Sequence, residues 1–143
     1  MSLGLDSCFL IDLYWEDSPR HATVLEKIKE IASSGQEVCV YYNCFNEFIH
    51  VITDSRRFEN AFSMEEALSI VDEWRDLENV KILFPDDQSF GRTVAWLTIY
   101  ELGRKRLNDT NMAACYLHNG VSSIITANPK DFEIFKELKV IGY

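Results

Sequence analysis

Three acidic residues stand where an alternating strand and helix chain would gather its chemistry. Asp6 closes a first apolar strand-like segment, Glu47 lies one turn inside the helical run after a second, and Asp109 opens the helix before a fourth. Asn128 and Asp131 flank the turn just after that fourth segment. Two carboxylates about 4 Å apart repel by on the order of 4 kcal/mol at an effective dielectric near 20, so folding them together calls for a counter-charge. A divalent cation supplies one. Oxygen-only donors without His or Cys favour hard ions, Mg2+ or Mn2+, which keep waters for a phosphate and a nucleophile. Each acid also has a plainer use. Asp6 and Asp109 suit helix starts, Asp131 suits the cap of a last helix, and Glu47 can reach solvent from a helix edge. Glu47 is the most telling, because Phe45, Phe48 and Ile49 surround it in sequence and an ionised group on such a face needs a partner.

The elements that must position these residues follow from hydrophobic period and stop signals. Leu3 to Asp6 reads as a strand running into the apolar stretch to Leu13, and Ser18-Pro19 supplies a cap and first-position proline for a helix that Gly35 ends. Glu37 to Tyr42 is a strand, with Asn43 as the cap of the next helix; Ser63 and Glu66 form a capping box before the amphipathic run to about Asn79. Val80 to Phe84 is a third strand, followed by a helix from Asp86 to Leu102, a helix from about Thr110 to His118, and an Ile-rich strand from Ser122 to Thr126. A helix from Lys130 to Leu138 and a strand from Val140 to Tyr143 complete the pattern. Strands separated by helices predict α/β architecture: a mainly parallel sheet covered on both faces, as one domain over 1–143. Ligands in such folds bind at the carboxyl ends of the strands.

Composition narrows the class. With 23 Asp+Glu against 14 Lys+Arg the net charge is −9, which opposes general adhesion to a phosphate backbone and leaves attraction to local patches. Arg104, Lys105 and Arg106 immediately precede Asp109, Lys130 follows Asn128, and Arg92 comes earlier, so cations are expected to border the acids and hold phosphates. The four cysteines form no C-x-x-C pair, in keeping with reduced thiols and a cytoplasmic setting. No apolar run is long enough for a membrane span.

Four segments together resemble a known family. Asp6-Ser7 after an apolar strand, Asn43-x-x-x-Glu47-Phe48, the run from Gly103 to Gly120 and Ile124 to Phe132 (IITANPKDF) look like the PIN-domain nucleases, and the short form is similar to VapC-type ribonuclease toxins. The resemblance implies a three-layer α/β/α sandwich and Mg2+- or Mn2+-dependent hydrolysis of RNA phosphodiesters. By position it makes Asp6, Glu47 and Asp109 the metal acids, with Asn128 and Asp131 completing the catalytic set. Asn128 departs from the Asp the family often carries there, which implies a weaker second-metal site. Ser7 is expected to hold an acid or a ligand, and Arg104, Lys105 and Lys130 to bind substrate. A homodimer and a protein antitoxin are the implied partners, and the aromatic clusters of the first half, such as Tyr14-Trp15 and Tyr41-Tyr42, offer surface for them. Two other readings stand beside this one. A PIN-like module that binds without cutting is kept open by Asn128. A receiver-like signalling domain would need an adjacent acid pair near the first strand and a late Lys-Pro, whereas Asp6 is single and the dipeptide is Pro129-Lys130.

Overall fold

Each strand-to-strand pairing in the sheet is parallel, so each strand must return through a crossover and all carboxyl ends share one edge. The computed structural model describes residues 1–143. In chain order the elements are β1 (Ser2–Leu5), α1 (Ser7–Tyr14), α2 (His21–Ser34), β2 (Glu37–Tyr41), α3 (Tyr42–Ile52), α4 (Met64–Asp76), β3 (Val80–Leu83), α5 (Asp87–Ile99), α6 (Leu107–His118), β4 (Ser123–Thr126) and β5 (Lys139–Gly142). The sheet order is β3-β2-β1-β4-β5 and helices cover it, giving the α/β/α sandwich that the alternation predicts. β1 is central, flanked by β2 and β4, which places Asp6 at the middle of the functional edge.

Leu5, Val38, Val40, Ile124 and Ile125 from the three inner strands are buried with Phe9, Phe48, Met112 and Tyr116 from the helices. Burying each such side chain contributes roughly 1.5–3 kcal/mol. Tyr116 does more than fill space. Its hydroxyl accepts the Tyr41 N–H at 3.0 Å and donates to the Leu5 carbonyl, tying together the ends of β2 and β1 just before Asn43 and Asp6. Gly4 makes room for the ring, since a β-carbon there would lie 2.7 Å from Tyr116 Cε2.

Several boundaries differ from the expectations, each for a local reason. α2 begins at His21 rather than at Ser18-Pro19: the Ser18 hydroxyl donates to buried Asp12 at 2.7 Å and accepts the Arg20 N–H at 3.2 Å, closing a turn ahead of the helix. α3 begins at Tyr42, so Asn43 is inside its first turn and its amide turns towards α6. α6 begins at Leu107, which makes Asp109 a first-turn residue rather than the opening cap. The helix expected from Lys130 to Leu138 is absent. A single 3-10 turn, Pro129–Asp131, is followed by turns whose bonds run Phe132 to Pro129, Phe135 to Phe132 and Leu138 to Phe135. The buried residues Phe132, Phe135 and Leu138 recur every third position, a spacing that suits these tight turns better than a 3.6-residue period. Asp131 therefore caps no α-helix. The capping box of Ser63 and Glu66 forms as expected, and all four cysteines are free thiols.

Candidate active site at the carboxyl edge of the sheet

Asp6 ends β1 and caps α1, with its backbone extended at φ −87° and ψ 155°. Oδ1 accepts the Ser7 N–H at 2.7 Å, and Oδ2 accepts the Thr126 hydroxyl at 2.6 Å and the Cys8 thiol at 3.4 Å. Asp6 is only 7% exposed, and donors from the start of α1 and the end of β4 orient its carboxylate. Capping and site placement are thus the same geometry. Beside it, the Ser7 hydroxyl donates to Glu47 Oε2 at 2.5 Å, while Glu47 Oε1 accepts the Asn108 side-chain amide. Burial raises the Glu47 carboxyl, the Ser7 hydrogen bond lowers it, and the charge of Asp6 raises it again.

Asp109 belongs to the same electrostatic neighbourhood. Burial, then the anions Asp6 and Asp131, push its carboxyl up to about 7, opposed by Arg106 and helped by Glu47. Asp6 from the end of β1, Glu47 from the middle of α3 and Asp131 from the turn after β4 therefore all act on Asp109 in the first turn of α6. No three acidic, histidine or cysteine side chains close tightly round one point. Hydrogen bonds explain the spacing: Asp6 is held by Ser7 and Thr126, and Glu47 by Ser7 and Asn108. In chemical kind the donors fit a hard divalent ion, since they are buried or half-buried carboxylates, and burial followed by the neighbouring anions raises that of Asp109 to about 7.

The remaining expected residues fall at the margin. Asn128 is exposed, and its backbone N–H donates to the Thr126 hydroxyl at 3.0 Å, so Thr126 links the turn after β4 to Asp6. Asp131 is half-buried, and its carbonyl accepts from the Arg106 guanidinium. Arg104, Lys105 and Lys130 are exposed, and none is taken up in an ion pair. Arg92 is committed elsewhere: it faces Glu137 at 3.6 Å and lies over the Trp96 ring at 5.5 Å, so it is not a free cation at the border.

Read from sequence, Asn108 has no role beyond a helix start, and Asn43 is a cap and the first residue of the Asn43-x-x-x-Glu47-Phe48 motif, with no bond expected for either. Spacing places Asn43 one helical turn before Glu47 on the same face, but only the packing of α3 against α6 brings Asn108 to both. A second polar centre was also missed. Buried Asp12 accepts from Ser18 at 2.7 Å, from Arg20 Nε at 3.0 Å and from the Tyr143 hydroxyl at 3.2 Å, anchoring the end of the chain to α1.

Three solved structures share the fold. VapBC2 from Rickettsia felis, bound to a DNA fragment from its promoter, aligns over 100% of this chain and 99% of that one, at TM-score 0.72 and 14% identity. VapBC-1 from nontypeable Haemophilus influenzae aligns over 99% and 98%, at 0.71 and 20% identity. VapC20 from Mycobacterium tuberculosis, a sarcin-ricin loop cleaving toxin, aligns over 85% and 86%, at 0.63 and 16% identity. No curated protein matches by sequence. Residues 4–138 match the PIN domain, a span that takes in Asp6, Glu47, Asp109, Asn128 and Asp131, and the chain belongs to that family.

Proposed function

We propose that this protein is a Mg2+- or Mn2+-dependent endoribonuclease, the toxin of a toxin–antitoxin pair, working in the cytoplasm as one domain over 1–143. The observation that carries the reading is the gathering of acids from remote segments at one sheet edge, where the Ser7 hydroxyl reaches both Asp6 and Glu47 and burial, then the charges of Asp6 and Asp131, raise the Asp109 carboxyl. Membership of the PIN family and the likeness to VapC structures support it.

Asp6, Glu47 and Asp109 hold the ion in this reading, with Asn128 and Asp131 completing the edge. When bound, the ion offsets charge on the phosphoryl oxygens and makes the attacking water more acidic. Ser7 and Thr126 fix the carboxylates at Glu47 Oε2 and Asp6 Oδ2. Arg104, Lys105 and Lys130 receive phosphates of the RNA flanking the scissile bond. Asp109 must give up its proton before it can act as an anionic ligand, so ion binding releases protons and strengthens above about pH 7.

Two surfaces suit the proposed partners. Phe84, Phe90 and Val94 are exposed at and beyond the end of the edge strand β3, and Tyr42 stacks on Phe84 with centroids 5.4 Å apart, which supports a homodimer through this face. A cleft of about 310 Å³ lined by Leu13, Ile28, Ile31, Trp74, Leu77 and Val80 offers an apolar seat for an amphipathic antitoxin segment. No helix is long and apolar enough to cross a membrane.

The test is cleavage of a mixed RNA substrate by the purified protein with Mn2+, with and without chelator. Mn2+-dependent cleavage that drops at least about 100-fold in Asp6→Asn and Glu47→Gln is expected. Cleavage indifferent to chelator, or to both substitutions, overturns the assignment. Asn128 favours one second reading, an RNA-binding module that does not cut. Mn2+ and RNA binding without any cleavage would select it.

A further inference from the structure

An unbroken row of side-chain amides ends on Glu47. Asn46 Nδ2 donates to Asn43 Oδ1 at 3.1 Å, Asn43 Nδ2 donates to Asn108 Oδ1 at 2.8 Å, and Asn108 Nδ2 donates to Glu47 Oε1. The direction of this row is forced by donor chemistry. An ionised carboxylate only accepts, so Asn108 must present its NH2 to Glu47; its carbonyl then faces Asn43, which must present an NH2 in turn. Three amide dipoles consequently line up head to tail with the donor end on the carboxylate, an arrangement in which each bond polarises the next. Ser7 fixes the other oxygen from α1. Each carboxylate oxygen keeps a second lone-pair direction, so the clamp sets the orientation of Glu47 without exhausting its acceptors.

From this geometry we infer that Asn108, held in its donating orientation by Asn43, is the positioning residue for Glu47, and that the amide relay between α3 and α6 presets the second acid for a divalent ion. The inference rests on the ion-binding reading above and adds to it a cause for the orientation of Glu47. Neither Asn touches Asp6 or Asp109 through a hydrogen bond; their bonds join Asn46, Asn43, Asn108 and Glu47 alone. Losing an outer partner of a metal ligand typically weakens binding about 10- to 100-fold. The relay further predicts an effect that fades with each step away from the carboxylate.

The experiment is calorimetric titration of Mn2+ into the wild-type protein and into Asn108→Ala, Asn43→Ala, Asn46→Ala and Asp6→Asn, with metal-free melting as a check on folding. Expected are Mn2+ affinities about 10- to 100-fold weaker for Asn108→Ala, about 3- to 10-fold weaker for Asn43→Ala, and within about 2-fold for exposed Asn46→Ala. RNA cleavage at saturating Mn2+ should return to within about 3-fold of wild type in both relay variants, because their defect is one of metal affinity. If Asn108→Ala does not fold, Asn43→Ala still decides, since its side chain reaches Glu47 only through Asn108. Wild-type affinity in a folded Asn43→Ala protein, alongside lost affinity in Asp6→Asn, overturns the relay and leaves the ion-binding reading intact. No Mn2+ binding by wild type overturns both.

Discussion

The Thr126 hydroxyl donates to Asp6 Oδ2 at 2.6 Å while accepting the Asn128 N–H at 3.0 Å, so one buried hydroxyl ties the end of β4 to the acid that ends β1. Replacing it by valine keeps the shape and removes both bonds. Thr126→Val should lose about 1–3 kcal/mol of stability by chemical denaturation and lower Mn2+-dependent cleavage, and Thr126→Ser should recover most of both. A valine variant as stable and active as wild type would show that Asp6 needs no such anchor.

Asp109 sets a pH dependence whose sign is opposite to that of an acid in a salt bridge. Its folded carboxyl lies at about 7 against an ordinary 3.8, so between these values the folded state holds more protons than the unfolded one and stability falls as pH rises. Asp109→Asn removes that cost. At pH 8 without divalent ions the variant should exceed wild type by about 1–2 kcal/mol, a figure already reduced for solvent screening at this half-exposed site. Near pH 4 the two should coincide. A difference that does not change with pH would remove the electrostatic account of this residue.

Asn128 is the place where an acid can be restored. It is exposed, and its backbone N–H is already fixed by Thr126, so a carboxylate can replace the amide without disturbing that bond. Asn128→Asp should tighten Mn2+ binding by about 3- to 10-fold through added ligand charge and raise cleavage at limiting metal. Weaker binding and slower cleavage would mean that further negative charge is already unwelcome at this edge.

Arg104 and Lys105 are exposed cations next to the helix that carries Asp109. If each meets one phosphate, Arg104→Gln with Lys105→Gln should flatten the slope of log affinity against log salt by about 0.7 per contact on single-stranded RNA. A lost affinity with an unchanged slope would place the RNA elsewhere.

How much of this was legible in the sequence depended on whether the signal was local. Parallel α/β order, the capping box at Ser63 and the strand-end position of Asp6 follow from period and neighbouring residues, and they match the structure. Ser18-Pro19 carries an equally good local signal, yet the serine hydroxyl is shared between buried Asp12 and the Arg20 N–H, and the chain makes a turn there before α2 opens at His21. Lys130 to Leu138 shows the same limit: a three-residue apolar spacing reads as helical until the turns that bury Phe132, Phe135 and Leu138 are seen. Glu47 was found from its apolar neighbours. Its partners Ser7 and Asn108 lie 40 and 61 residues away; that Ser7 holds an acid was expected from its place beside Asp6, whereas the bond from Asn108 to Glu47 depends on how α3 packs against α6.

If Asp6, Glu47 and Asp109 share a divalent cation, crystals soaked in Mn2+ will locate it. Anomalous difference density at the carboxyl edge of the sheet, within coordinating reach of these carboxylates or their waters and lost in Asp6→Asn crystals, is the predicted result. A fully soaked crystal with no peak at that edge, or with its peak equally strong in the Asp6→Asn variant, would contradict the account.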